Sequence, residues 1–554
     1  MAHTERACFM DISKFSSSPL TLLAQQSNEM RPVISDERSL VKIEKGEKLT
    51  LSQPLPYLPS SPPNSSLSEL YKPQPTFIQH SISNTLQSSD QTQKFTNQLN
   101  DENSDNRFKG LGTRFNELLN KPTESYHQEL RQYHYQSQNS SAGNVDFSEF
   151  IVSSKTRTQA FDLELKTKSG ATIQFSIESF SGRGKNPDTL MYEFEDFSVY
   201  AVGQHASFRS TEISFDVQGD LTKEEIKQLQ QFSENLEAFS TTLFNNGVPS
   251  LKTLDLASFD VISELNLNSM GGTSKPLLLE YKNNDEERFI EVNYDGNKAQ
   301  IQLTKLGQMV YSEQNKEQVI QHYLDILKDS AEKAQADDIQ AQLMQDVFSA
   351  GFNINEDELE RAKEIEQDRT NELTSQDASD AEKSKDALLP IPDFSFHFVS
   401  HKERFNIAQK PEEYSGFTLE LSVNTRQQTE GPVTATKQQQ NFKLEGAYYK
   451  PLGHLEKPDF LTQTYRHNTF NYDVSNTVTT STGNQQLLSA TLEQNNENSE
   501  SSKAYSKGVL IDDKHEEEEP IAKLVDFTER LRLEAELTQQ QILEDVLIDP
   551  FADR

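Results

Sequence analysis

Tryptophan is absent from this 554-residue chain, and Cys8 is its only cysteine. A lone cysteine excludes an intrachain disulfide and any cysteine-based zinc site. Nowhere do about 18 apolar residues follow one another, so no membrane-spanning helix is expected. The segment Met1 to Met10 has no basic stretch leading into an apolar core, so no secretory signal is read there. Positive charge is also scarce: 53 lysines and arginines against 87 aspartates and glutamates leave a net charge of −34. Such a surface repels polyanions, so nucleic acid is not an expected ligand. Apolar residues make up 34% of the chain, below the roughly 45–50% of an ordinary globular protein with glycine counted in. Part of the chain is therefore expected to stay unfolded in isolation. A cytoplasmic protein is the expectation, with export by a signal-less route as the alternative.

The charge is unevenly placed. Residues 1–145 carry 15 acidic and 14 basic side chains, so nearly all of the excess lies beyond them. Residues 1–146 read as a disordered arm. Pro54, Pro56, Pro59, Pro62 and Pro63 crowd one stretch, and Ser, Gln and Asn dominate afterwards. Within the arm, Arg114 to Leu119 and Tyr126 to Tyr135 are read as short fluctuating helices, because isolated helices of that length are marginal.

A first folded module is expected at 147–270. Phe161, Leu163 and Leu165 alternate with polar residues, Lys168-Ser169-Gly170-Ala171 breaks the run, and Ile173, Phe175 and Ile177 alternate again. This is the pattern of a β-hairpin with one apolar face. Tyr192 to Val202 and Glu212 to Val217 are two further strand candidates. Thr222 as N-cap with Glu225 three residues on forms a capping box. Leu229, Phe232, Leu236, Phe239 and Leu243 then recur at helical spacing. Leu251 to Leu267 reads as one more helix or turn.

A second module at 277–351 holds a hairpin around Asp295-Gly296 and a long helix from Ser312, broken near Ala336-Asp337-Asp338. Residues 352–392 form an acidic linker or solvated helix. A β-rich module occupies 393–480, where Phe394, Phe396 and Phe398 alternate, as do Phe417, Leu419, Leu421 and Val423. Residues 481–519 read as an acidic disordered linker. An amphipathic tail helix is expected at 520–548, with Pro520 at its first position and Leu524, Phe527 and Leu531 along one stripe. The fold class is thus α+β: antiparallel sheets with packed helices, a long disordered arm and acidic linkers.

The first module's order of elements resembles a module in a family of uncharacterised bacterial proteins: a hairpin with a glycine turn, then a strand entering Gly219-Asp220-Leu221 and a Glu-rich capped helix. Phe161 to Ile177 and Phe215 to Leu229 carry the likeness, a small part of the chain. It implies a bacterial origin and a recurring architecture, and it transfers no functional residue.

Motifs for chemistry fail on spacing or context. His397 and His401 stand four apart, but on a strand, where that separation is about 13 Å at about 3.3 Å per residue. Asp101, Asn103 and Asp105 open like a calcium loop, yet Asn106 stands at the turn glycine and Gly112 at the bidentate glutamate. Ser330 and Lys333 have the spacing of a serine–lysine pair without the accompanying motifs. Gly182-Arg183-Gly184-Lys185 lacks the spacing of a phosphate loop and reads as a loop between strands. No catalytic, cofactor-binding or metal-binding residue is assigned, and no cofactor is expected.

The composition and patterning point to a non-enzymatic interaction or scaffold protein that binds partner proteins through sheet edges and amphipathic helices. Leu524, Phe527 and Leu531 are the expected partner contacts, and the oligomeric state is left open. An exported or surface-associated structural protein is the alternative. An enzyme whose site is assembled from several modules comes third.

Overall fold

The computed structural model describes residues 76–84, 108–120, 126–136, 155–186, 190–193, 198–201, 204–246, 249–271, 274–304, 313–352, 387–405, 410–484, 486–517, 520–532 and 542–551. The architecture is mostly antiparallel sheet with a few helices.

Sixteen strands form one sheet. It begins with β1 (Thr76–Asn84), β2 (Tyr126–Gln136), β7 (Gln204–Gln218), β4 (Thr172–Asn186), β3 (Lys155–Thr167) and β8 (Ile262–Gly271). It continues through β9 (Ser274–Asn283), β10 (Glu287–Tyr294), β11 (Asn297–Thr304), β12 (Asp393–Val399) and β13 (Gly416–Glu430). It ends with β14 (Val433–Lys450), β15 (Tyr465–Gly483), β16 (Gln486–Ser506) and β17 (Val509–Glu517), while β18 (Ile521–Asp526) lies against β16 beyond the end of β17. The short strands β5 (Leu190–Glu193) and β6 (Ser198–Ala201) pair apart from it. From β8 onward the main sheet is a meander in which each strand pairs with the next, so the three stretches expected as separate modules contribute strands to one sheet.

Alternation decides the layering. Directly opposed residues share a face, so the register carries one apolar face from strand to strand. Ile177 lies opposite Phe161 and Leu267 opposite Leu163; Val292 follows opposite Ala299, Phe396 opposite Leu421, and Phe442 opposite Val474. All of these are buried in one continuous core. The opposite face carries Glu164, Asn266, Glu280, Gln300, Ser422 and Lys443 and is polar. Antiparallel sheets tolerate that division because one face can stay solvated.

Helices cover the apolar face. They are α1 (Leu111–Leu119), α2 (Lys223–Asn246), α3 (Leu251–Leu254), α4 (Glu313–Lys333), α5 (Asp338–Phe352) and α6 (Thr528–Arg532). The expected capping box starts α2. The Thr222 N–H donates to Glu225 Oε2 at 2.8 Å, and the Glu225 N–H donates back to Thr222 Oγ1 at 3.2 Å. The five apolar positions read from spacing, Leu229 to Leu243, are all buried. The long helix breaks where expected, into α4 and α5. In α5, Phe348 meets Phe394 and Phe396 edge-on at 5.5 and 5.7 Å. The Asp295-Gly296 turn has positive φ at both residues, 51° and 79°, as a two-residue hairpin loop of that handedness requires.

Several expectations are corrected. Arg114 to Leu119 is no fluctuating helix: α1 packs on α2, with Phe115 edge-on to Phe232 at 6.3 Å. The approach is so close that a Cβ on Gly112 would sit 1.8 Å from the Ser233 carbonyl. Glu237 of α2 accepts the Gly110 and Gly112 N–H groups at 2.6 and 2.9 Å, closing the start of α1. Tyr126 to Tyr135 lies in strand β2, paired with β1 and β7. The other parts of the expected arm, and most of the 352–392 linker, lie outside the described residues. Leu251 to Leu267 divides into α3, a 3-10 turn and strand β8. Gly182 to Lys185 lies within β4, not in a loop.

The largest correction is at the C-terminal side. The acidic stretch 481–519 contains the whole of β16 and β17, and the expected tail helix begins instead with strand β18. Their backbone hydrogen bonds come from the ladder, which needs no apolar alternation. Pro520 falls between β17 and β18 at the rim of the sheet, where a missing N–H removes no ladder bond. Residues 542–546 do form a helical turn.

Candidate functional site

Two clusters of polar side chains are buried on opposite faces of the same strands. On the helix-covered face, Gln438 and Gln440 of β14 are fully buried. Gln438 accepts the Leu389 N–H at 2.7 Å and donates to Thr425 Oγ1 at 3.1 Å. Gln440 accepts from Ile548 N–H at 3.1 Å and from the Tyr323 hydroxyl at 3.0 Å, and donates to the Val546 carbonyl at 2.8 Å. Asn476 donates to the same carbonyl at 3.0 Å. Each glutamine thus replaces the missing ladder partner of a segment crossing the sheet, one at 387–391 and one at 542–551. Burial pushes the Tyr323 hydroxyl far above its ordinary value, so it stays a donor.

On the polar face, Tyr449, Tyr465, His467 and Tyr505 meet Phe405, Phe460, Lys410 and Glu413. Tyr465 donates to Glu413 Oε2 at 2.7 Å, and Lys410 Nζ lies 3.4 Å from Glu413 Oε1. Tyr449 lies tilted against His467 at 4.8 Å between ring centres, and Phe405 lies parallel to Phe460 at 4.2 Å. Burial lowers the Lys410 pKa against the pull of Glu413, and burial also lowers that of His467. Burial, then the charge of Glu413, pushes Tyr505 up to about 12. Perturbed groups gather at active sites, but here rings fill the space between them. The cluster pins Phe405, Lys410, Glu413 and Phe460, which lie outside the strands, to the sheet.

Open space lies beside the last strand. On the helix side, a cleft of about 490 Å³ runs from Tyr448 of β14 across Asn468, Phe470 and Tyr472 of β15 and Glu500 of β16 to Lys514 and Glu516 of β17. Asp329, Glu332 and Lys333 at the end of α4 form its roof, and Phe551 closes one side. Lys333 sits 3.8 Å from Glu500, which also accepts the Tyr472 hydroxyl. Burial, then Glu332 and Asp325, hold the Asp329 carboxyl above its ordinary range. On the polar face, a second cleft of about 320 Å³ lies between Tyr414, Glu445, Asn471, Ser499 and His515. Strand β17 therefore has a cleft on each side of its plane.

That strand is also an edge. Among the described residues β17 and β18 pair with β16 alone, end to end along its length, and no ladder joins them to β1. Their side chains are largely solvated: Val509, Leu510, Ile511, Ile521 and Leu524 are exposed. The three expected contact residues separate here. Leu524 stands on β18 and is 73% exposed, whereas Phe527 and Leu531 are 3% and 5% exposed and belong to the core.

The motifs weighed for chemistry do not converge. His397 is on β12 near Glu420 at 3.9 Å, and His401 lies beyond the strand end. Ser330 donates to the Ile326 carbonyl inside α4, while Lys333 faces Glu500. Among the described residues no group of three His, Cys, Asp or Glu side chains is placed to hold a metal ion, and no helix is long and apolar enough to cross a membrane. The chain matches no family model, no curated protein and no solved structure.

Proposed function

We propose that this chain is a non-enzymatic interaction protein of bacterial type that binds a partner protein along the sheet edge formed by β17 and β18. The apolar stripes of α2, α4 and α5 are buried against the chain's own sheet, so these helices keep no apolar stripe free for a partner. The observation that carries the proposal is a free edge of the sheet: two edge strands in line, with exposed apolar side chains and, beside β17, a cleft on either face. An added strand gains main-chain hydrogen bonds from such an edge, and its alternate side chains enter the flanking clefts.

A photo-crosslinking residue at position 524 tests this in the native cell. Leu278 serves as control, because it is similarly exposed in mid-sheet on β9. The proposal predicts a discrete adduct from 524 and none from 278. Adducts from both positions, or from neither, contradict it.

A further inference from the structure

We infer that the occupant of this edge is an extended, lysine- or arginine-rich segment of another protein; the inference rests on the edge reading above and adds the chemistry of the partner. Residues 509–526 carry seven carboxylates against two lysines, a net of −5. One of the seven, Asp512, is neutralised by Arg466 at 3.1 Å. Asp513 and Glu516 form no ion pair among the described residues, and they point to opposite faces of β17. Negative charge therefore lines both sides of the position an added strand would take.

The flanking clefts agree. The roof of the larger one carries Asp329 and Glu332. Glu445 stands in the smaller one. Lysines are present too: Lys333 is held by Glu500, Lys450 lies over the Tyr448 ring at 5.1 Å, and Lys514 of β17 offsets one carboxylate of the larger cleft, so the excess stays negative. A second copy of this chain is a poor occupant. Pairing two such edges sets carboxylates opposite carboxylates, which destabilises cross-strand pairs. A basic strand meets complementary charge along β17, which also speeds its encounter.

Short photoreactive peptides of one alternating apolar pattern, with lysine, serine or glutamate at the polar positions, test the inference against the full chain. Affinity is read by fluorescence anisotropy and the docking position by mass spectrometry of the crosslink. The expected result is crosslinking to 509–526, with the lysine peptide binding at least about tenfold tighter than the serine peptide, equivalent to about 1.4 kcal/mol. The charge-reversed D513K/E516K variant should lose that preference; both positions are exposed, so folding is unaffected. Equal binding of lysine and serine peptides at 509–526 overturns the charge inference and leaves edge pairing standing. Crosslinking of every peptide elsewhere, or binding of none, removes both.

Discussion

At the scale of single residues, the chain's stability rests on a few polar groups whose partners are backbone atoms. Glu225 shows the logic. Burial alone would raise its carboxyl, but hydrogen bonds from the Thr222 backbone and the Ser169, Thr167 and Thr222 hydroxyls hold it at about 2 against an ordinary 4.5. A carboxyl lowered on folding stabilises the folded state fully above its unfolded pKa, and that contribution disappears as pH falls towards the folded one. Urea midpoints should therefore drop from pH 4.5 towards 2, and E225Q should flatten that portion of the profile. T222A should cost about 1 kcal/mol at neutral pH; an unchanged midpoint would mean the cap is not formed. The Lys410–Glu413 pair makes the opposite case. K410M removes a charge that is costly to bury and should be neutral or stabilising. E413A removes the ion-pair partner of the part-buried Lys410 and the acceptor of the Tyr465 hydroxyl, and should destabilise by about 1–3 kcal/mol. The capping box was visible in the sequence because it is local, four residues long and followed by a helical stripe. The buried glutamines were not: Gln438 and Gln440 sit in the run Lys437-Gln438-Gln439-Gln440-Asn441, which reads as solvated until the crossing segments are seen.

At the scale of elements, the same contrast separates what sequence reasoning reached from what it missed. The β3–β4 hairpin, the β10–β11 hairpin and helices α2, α4 and α5 have one apolar face each; a glycine turn marks the hairpins and apolar spacing the helices. Strands β16 to β18 have little apolar periodicity, because much of their length is solvated on both faces and held by ladder hydrogen bonds. Helix α1 carried too little signal in itself, since its stability comes from Gly112 lying against Ser233 and from Glu237 at its start. G112A should expel α1 from its seat, and faster exchange of the α1 amides would report it. The predicted contact stripe divides by the same physics. L524D, on the exposed side of β18, should change stability by no more than about 0.5 kcal/mol. F527A should cost about 3–5 kcal/mol as a core truncation. Equal costs at both positions would refute the placement of this segment. The 542–551 segment is fastened through Gln440 and Asn476, so Q440L should loosen it and lower stability by about 2 kcal/mol or more.

At the scale of the whole molecule, one long sheet with one apolar face explains how a chain with 34% apolar residues builds a continuous core. The apolar residues are concentrated on the helix-covered side, and the polar side accommodates much of the charge. A net charge of −34 keeps such a surface soluble and discourages edge-to-edge association between copies. The β17–β18 edge is then a part of the fold where a second chain can extend a regular structure without displacing a strand among the described residues. Amide hydrogen exchange on the complex recovered from the native cell measures this most directly. Slowed exchange is expected along 509–526, strongest at amides pointing away from β16, with the helices unchanged. Protection confined to the helices or to the polar face of β8–β13, with 509–526 exchanging as in the free chain, would contradict it.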